Sequence, residues 1–252
     1  MKVAVIIPAF NAEATIASAI KSLLRQRDAA QLDIIIIDDG SRDQTCKIVR
    51  EWMTSAPEIR LIENSHGGIS KTRNAGLMAL GEDIDFVTFL DADDISPDGR
   101  FRRDIAVLES DPAIDLVYAK VRFFDFEDQH ALAPRTDANV VDGRVVQLGA
   151  GVFRRALLDR VGLFDETLVQ SEDLDYLMRV FELRPNYYIS DGIGVYYRKN
   201  HGGITEQRKQ AQHEFMRALL RARKRRSKLA GFEMPKDVFS SDHVADLERW
   251  MK

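Results

Sequence analysis

Ile34-Ile35-Ile36-Ile37-Asp38-Asp39-Gly40-Ser41 is the stretch that decides the fold. Four β-branched residues in a row favour an extended strand and leave it no polar face. A strand of that kind is covered on both sides, which predicts helices on either face of a mostly parallel sheet. The acids and glycine that end the run collect polar groups at its carboxyl end. Val3-Ala4-Val5-Ile6-Ile7 repeats the plan and stops at Pro8-Ala9-Phe10-Asn11, before a helical stripe of Ile16, Ile20, Leu23 and Leu24. Phe86-Val87-Thr88-Phe89-Leu90 repeats it again and runs into Asp91-Ala92-Asp93-Asp94. Three strands thus deliver polar groups to one edge, and in an open α/β sheet ligands bind outside the carboxyl ends of the strands.

The acid cluster is the chemically most specific of the three ends. Alternation along a strand points Asp91 and Asp93 the same way, two hard oxygen donors suited to Mg²⁺ or Mn²⁺. Such an ion would relieve their repulsion and clamp a diphosphate. The competing reading is a solvated acidic turn.

Between these ends the chain alternates strand and helix. Ser41 and Gln44 have capping-box spacing ahead of a stripe of Ile48, Val49, Trp52 and Met53. Arg60-Leu61-Ile62-Glu63 is a short strand candidate. Gly67-Gly68-Ile69-Ser70-Lys71-Thr72-Arg73-Asn74 reads as a flexible basic entry to a helix reaching about Leu80, suited to meeting an anion with backbone donors. Ser96-Pro97 predicts a helix start, with Phe101, Ile105 and Leu108 on its buried face. Leu116 to Phe124 is strand-like, and the polar stretch after it, up to about residue 148, predicts a mobile loop. Arg154 to Gly162 predicts a short helix ended by glycine. Ser171 then caps a helix with stripe Leu174, Leu177, Met178 and Phe181, placing Glu172 and Asp173 in its first turn, where the dipole favours the ionised carboxylate. Acids there also serve simply to complement the dipole.

With 252 residues the chain suffices for one large domain or two packed halves. The single cysteine, Cys46, excludes an intrachain disulfide and suits a reducing compartment. No apolar run approaches the roughly 18 residues that span a bilayer, so neither export nor a membrane span is expected and the expected location is cytoplasmic.

Taken together these motifs resemble a family 2 glycosyltransferase of the GT-A fold, an enzyme that uses nucleotide sugars. Val5-Ile6-Ile7-Pro8-Ala9-Phe10-Asn11-Ala12-Glu13 resembles its opening motif, Asp38-Asp39-Gly40-Ser41 its nucleoside-binding turn and Lys71-Thr72-Arg73-Asn74-Ala75-Gly76 its third segment. Asp91-Ala92-Asp93 resembles the metal motif, and Glu172-Asp173 the acid pair that includes the catalytic base. The match covers most of the chain. It implies a Rossmann-like central sheet, with residues 1–95 as the nucleotide-sugar half, 96–205 as the acceptor half and 206–252 as a basic helical extension.

Position by position, the resemblance implies that Pro8, Phe10 and Glu13 line the nucleoside pocket, that Asp39 accepts a hydrogen bond from the base, and that Arg73 sits nearby. The base would be uracil, making the donor a UDP-sugar. Asp91 and the adjoining Ala92 would contact the ribose or the metal shell. Asp93 would bind Mn²⁺ or Mg²⁺ directly, and Arg198 would stabilise the leaving group. Tyr197 to Thr205 resembles a segment that closes over the phosphates and lends His201 to the metal; a solvated loop histidine is the competing reading. Asp173 would take a proton from the acceptor hydroxyl, giving in-line substitution with inversion. A hydrolase would instead need two carboxyl groups about 5 to 9.5 Å apart across the glycosidic bond and no nucleotide-binding strands. Two readings from other classes remain open: a non-catalytic nucleotide-binding scaffold, and a metal-dependent phosphotransfer domain on a similar sheet.

The C-terminal region carries a separate signal. Glu206 to Lys228 holds nine Lys or Arg against two Glu, within a chain of net charge −4. Residues 217–228 contain no acid and predict a basic amphipathic helix. It would lie on an anionic membrane at the inner face, near a lipid-linked acceptor, or else pack on the acidic body. Nucleic acid is not expected, because no aromatic residues interleave the cations. From Gly231 onward the expectation is a loosely attached tail with Trp250 as an anchor.

Overall fold

In the computed structural model, which describes residues 1–124, 128, 130–198, 208–236 and 238 and gives 208–210 by backbone alone, the isoleucine run lies in β2 (Gln31–Asp38). Neighbouring side chains on a strand face opposite ways. Ile34 and Ile36 accordingly pack with Ile16, Ile20, Val49 and Phe101 on one side of the sheet. Ile35 and Ile37 pack with Leu157, Tyr176, Leu177 and Phe181 on the other. Both faces are apolar because both are covered.

β1 (Lys2–Ala9) lies between β2 and β4 (Phe86–Phe89), and β3 (Ile59–Glu63) flanks β2, all four parallel. The connecting helices are α1 (Ile16–Leu24), α2 (Thr45–Met53) and α3 (Ile69–Met78). After α4 (Arg100–Ser110) come β5 (Leu116–Phe124), β6 (Val140–Gly143), β7 (Gly151–Arg154), α5 (Arg155–Val161), α6 (Glu172–Glu182), β8 (Tyr187–Arg198) and α7 (Arg208–Arg226). The strand order is β3-β2-β1-β4-β7-β5-β6, with β8 parallel to β5. β7 is antiparallel to both β4 and β5, so one sheet runs across the boundary at residue 95.

The sheet grows outward from β1 to β3, then resumes on the other side of β1 at β4, which creates a crevice at the carboxyl ends of β1 and β4. Pro8 marks its opening. The Ile6 carbonyl takes the Leu90 N–H at 3.1 Å on the β4 side, just past the register pair Ile6 and Phe89, whereas Ala9 still accepts the Asp39 N–H at 2.8 Å on the β2 side. Two residues beyond Ile6, the N–H that proline lacks would face β4 where that strand has ended, so no ladder bond is lost.

Four local expectations are corrected. Ser96 does not start α4, which begins at Arg100 after Gly99 in the left-handed region (φ 70°). The buried Ser96 hydroxyl instead accepts Gln26 Nε2 at 2.8 Å, and its N–H donates to Ser22 Oγ at 3.0 Å. Nor does Ser41 cap α2. The Thr45 N–H goes to Asp43 Oδ1 at 2.9 Å, and Gln44 donates its N–H to Glu13 Oε2 at 2.9 Å. Within the stretch expected as a loop, β6 pairs with β5 and is pinned by a bidentate Arg122–Asp142 contact at 2.7 Å. Finally, Tyr197 and Arg198, expected to open a segment that closes over the phosphates, end the strand β8, over which the sequence reading places no strand.

Candidate active site

The polar ends of β1, β2 and β4 and the first turns of α3 and α6 frame the crevice. At β2, Asp38 folds the turn after it, its Oδ2 accepting the N–H groups of Gly40 (3.1 Å) and Ser41 (2.9 Å). Asp39 reaches the glycine loop: Oδ1 accepts Gly67 N–H at 2.8 Å and Oδ2 accepts Gly68 N–H at 3.0 Å. His66 Nδ1 lies 2.9 Å from Asp39 Oδ2, and the His66 ring stacks on Phe10, centroids 4.6 Å apart. Phe10 is nonetheless 49 % exposed. A flat apolar face thus stands beside an acceptor-rich carboxylate, the pairing that holds a planar polar ring. Pro8 is buried in β1, whereas Glu13 is exposed like Phe10 while its carboxylate accepts the Gln44 N–H ahead of α2.

At β4, Asp94 is 2 % exposed and points inward. Its Oδ1 accepts the Arg198 N–H at 3.2 Å, and its Oδ2 accepts Gln147 Nε2 at 3.3 Å. Burial, then the charges of Asp93 and Asp91, push the Asp94 carboxyl well above the usual carboxylate range. Asp93 is half-buried, and Arg198 Nε donates to its carbonyl at 3.0 Å, which places that guanidinium on the acid cluster. Burial lowers the Arg198 pKa, against the pull of Asp93 and Asp94. Ala92 is buried between the two acids.

Arg73 joins this cluster to α6. Its Nη2 lies 2.9 Å from Asp91 Oδ1, and its Nη1 donates to Glu172 Oε1. The guanidinium is also 5.7 Å from the Phe164 ring centroid. Burial opposes its charge, but Asp91 and Glu172 outweigh burial and raise its pKa, so it stays a cation. Asp173 follows on the same turn and accepts the Leu174 N–H at 2.7 Å. Burial, then the Glu172 charge, push the Asp173 carboxyl up to about 7, with Arg73 and the Leu174 amide pulling it down. Ser171 precedes the helix as expected. Its φ is 59°, however, and its hydroxyl makes no capping bond.

α3 holds the loop that presents these acids. Ser70, Arg73 and Asn74 share a helix face. Ser70 Oγ donates to the Leu168 carbonyl at 3.0 Å, while Asn74 donates to the Phe164 carbonyl at 3.1 Å and accepts the Phe164 N–H at 2.7 Å. α3 itself sits tight on the sheet at Gly76, where a Cβ would come within 2.5 Å of Ile6 Cγ2 and 2.9 Å of Ile37 Cδ1.

The site therefore brings together Asp91, Ala92, Asp93, Arg198, Arg73 and the Glu172–Asp173 pair, with Phe10 and Asp39 at the β1 and β2 ends. Arg73, expected near the nucleoside, spans from Asp91 after β4 to Glu172 in α6. Sequence reading missed His66, Asn74 and Gln147; the first two flank the glycine loop and the basic helix entry, the only signal that could have flagged them. His201 and Trp250 lie outside the described residues. Among the described residues no three His, Cys, Asp or Glu side chains are grouped to hold a metal. The donor chemistry at β4 still fits a hard cation: the carboxylates of Asp91 and Asp93 supply oxygen, and the stacked charge that shifts Asp94 is what such an ion would relieve.

Comparison with known proteins gives a concordant picture. A family model described as "Glycosyl transferase family 2" matches residues 4–167. The uncharacterized glycosyltransferase EpsJ of Bacillus subtilis is 27 % identical over 221 residues, 81 % of this chain and 63 % of EpsJ. TarS of Staphylococcus aureus, a poly(ribitol-phosphate) beta-N-acetylglucosaminyltransferase, is 28 % identical over 190 residues, 72 % of this chain and 32 % of TarS. The chain thus spans less than two thirds of the length of either relative. The crystal structure of TarS 1-349 in complex with UDP-GlcNAc superposes with TM-score 0.68 at 21 % identity, covering 87 % of this chain and 66 % of that one. The mannosyltransferase PcManGT from Pyrobaculum calidifontis, in complex with GDP-Man and Mn²⁺, gives TM-score 0.66 at 19 % identity, covering 94 % and 67 %.

Proposed function

From the premise that this chain belongs to glycosyl transferase family 2 and has the GT-A fold, we propose that it is an inverting transferase acting on a nucleoside diphosphate sugar. The donor is a UDP-sugar, the acceptor a hydroxyl on a glycan or lipid-linked glycan, and the setting cell-surface polysaccharide synthesis. The observation that carries the reading is the Arg73 bridge. One guanidinium contacts both Asp91, in the acid cluster, and Glu172, the neighbour of Asp173. That contact supports a reading in which the diphosphate and the incoming hydroxyl are met from opposite ends of one guanidinium.

In this reading residues 1–95 hold the donor, residues 96–205 form the acceptor side and residues 206–252 are an extension. The nucleobase stacks on Phe10 and hydrogen-bonds to Asp39, with His66 as its neighbour. Asp93 and Asp91, joined by His201, hold Mn²⁺ or Mg²⁺, which when bound supplies positive charge for the departing diphosphate. Arg198, already against Asp93, adds a second fixed cation to that side. Asp173 accepts the proton of the incoming hydroxyl, and its raised pKa suits a base working near neutrality. Attack opposite the leaving group inverts the anomeric centre. The UDP-GlcNAc and GDP-Man complexes of the two similar structures support a nucleotide-sugar donor.

The phosphotransfer alternative fares worse. It needs a carboxylate open to phosphorus, whereas Asp38 and Asp39 are buried, 3 % and 5 % exposed, and Asp39 is tied to Gly67 and Gly68. The test is a thermal-shift screen of nucleoside diphosphates and their sugars with and without Mn²⁺, followed by transfer assays with each hit. At a hundredfold excess over its Kd the right donor should raise Tm by about 5–10 °C. A chain stabilised by no nucleotide, or one that binds UDP yet transfers and hydrolyses no sugar, would overturn the reading, the second result in favour of a scaffold.

A further inference from the structure

α7 carries apolar side chains on two faces, and the body covers only one. Residues four apart share a stripe along a helix. Ala218 and Ala222 are fully buried, clustered with Leu174 and Met178 of α6. On the adjacent stripe Arg217 pairs with Glu214 and Arg225 reaches Asp175 and Glu182, each at 2.7 Å, and Arg221 pairs with Asp165. Part of the basic run therefore packs on the acidic body, one of the two outcomes that its composition left open.

The outward side carries Phe215 and Arg223, which flank the half-buried Leu219 that packs on the α6–α7 cluster, and the stripe of Met216, Leu220, Lys224 and on to Lys228 just past the helix. Phe215 is 46 %, Met216 53 % and Leu220 58 % exposed. Arg223, Lys224 and Lys228 are exposed too and form no ion pair among the described residues. Glu214, the one acid between residues 208 and 228, is buried on the inner side. The outer face thus combines three large apolar side chains with three uncompensated cations.

A protein partner would have to bury those apolar groups while supplying a matched carboxylate for each cation. The surface of an anionic bilayer answers both needs at once: apolar tips enter the acyl boundary, and the long stems of Arg and Lys let their charges rise to the phosphates. We propose that this face of α7 docks on an anionic lipid surface, with Phe215, Met216 and Leu220 inserted and Arg223, Lys224 and Lys228 on the headgroups. No helix among the described residues is long and apolar enough to cross a membrane, so the contact is peripheral. It holds α6, and with it Asp173, close to the bilayer through the α6–α7 packing.

The test is co-sedimentation of the 252-residue chain with vesicles of phosphatidylcholine alone and of phosphatidylcholine with about 30 % phosphatidylglycerol. Binding should require the anionic lipid and weaken as salt rises. The double variant Arg223→Gln, Lys224→Gln should bind about 30-fold more weakly, at about fivefold per cation lost. Phe215→Ser with Leu220→Ser should also release the chain, and both variants should keep the parent circular dichroism and thermal transition, since the changed side chains are exposed. Equal binding to both vesicles, no binding by the parent chain, or variants that bind like the parent would each overturn the proposal. So would a dimer, seen by analytical ultracentrifugation, that the Phe215 and Leu220 changes dissociate while no vesicle is bound; the face would then join two copies. No donor or turnover enters these readouts, so their failure would leave the transferase reading standing.

Discussion

Arg73 and Asp91 form an ion pair, Nη2 to Oδ1 2.9 Å, in which the arginine side chain is 4 % exposed and the aspartate 30 %. The other arm of the same guanidinium takes Glu172. A planar fork with donors on both arms spans two carboxylates that a point charge cannot. This one side chain ties the end of β4 to the first turn of α6, two elements that also pack edge-to-face in the core through Phe89 and Tyr176.

Arg73→Lys should therefore fail to substitute. A lysine serves one carboxylate and strands the other, and breaking a buried pair costs about 3–5 kcal/mol. Urea unfolding near neutral pH should show a lower midpoint with an unchanged slope. A midpoint equal to that of the parent would mean that the bridge holds nothing in place.

Asp173 sets a pH window. Burial and the neighbouring Glu172 raise its carboxyl to about 7, and a base works only deprotonated, so kcat/KM should climb about tenfold per pH unit below 7 and level off above. The stability linkage has the opposite sign. Between its ordinary 3.8 and about 7 the folded chain keeps a proton that the unfolded chain has released, so this group's contribution is full below about 4 and lost as pH rises through 7. Asp173→Asn should lower kcat about 10²- to 10⁴-fold and leave UDP affinity by calorimetry unchanged. Turnover at the parent rate would remove Asp173 from the mechanism.

These residues were legible to very different degrees, for physical reasons. β1, β2 and β4 are buried on both faces, so they are written as unbroken apolar runs, and their polar ends stand out by contrast. β8 pairs with β5 along its length but mixes buried, half-buried and exposed positions in no regular order, is interrupted by Gly192 and Gly194, and slips register against β5. Neither a period of two nor an apolar run survives in it. Ser96 misled because a cap is judged from local spacing, whereas its hydroxyl was claimed by Gln26, 70 residues away. The acids at 91, 93, 172 and 173 were found because each ends a strand or starts a helix. Their linkage through Arg73 was not, since nothing local ties residue 73 to residues 91 and 172.

Asn74 offers a test of the loop that leads into α6 and Asp173. It is 1 % exposed and holds both the N–H and the carbonyl of Phe164. Asn74→Ala leaves those backbone groups buried and unpaired, which should cost about 1–3 kcal/mol. The loop between α5 and α6 should loosen with it. Against Ile20→Val, a core change of about 0.5–1.5 kcal/mol far from the crevice, Asn74→Ala should lower kcat disproportionately to its stability loss. Equal loss of kcat per kcal/mol in the two variants would reduce Asn74 to ordinary packing.

Donor binding should depend on a divalent cation. Asp91, Asp93 and Asp94 fall within four residues, and among the described residues Arg73 and Arg198 are fixed cations that touch this cluster. Burial first, and then the charges of Asp93 and Asp91, hold the Asp94 carboxyl above the usual carboxylate range. A diphosphate brought to this edge adds more negative charge at a short distance, where each unfavourable pair costs on the order of 1–4 kcal/mol. An ion held by Asp93 and Asp91 reverses the sign of that interaction. The rise in Tm produced by UDP with Mn²⁺ should therefore vanish on adding a chelator. It should vanish also in Asp93→Ala, even with Mn²⁺ present, because that change takes away the ion's ligand while leaving the Arg198 contact, made to the Asp93 backbone carbonyl, in place. A full Mn²⁺-dependent shift in Asp93→Ala would move the cation site away from the end of β4.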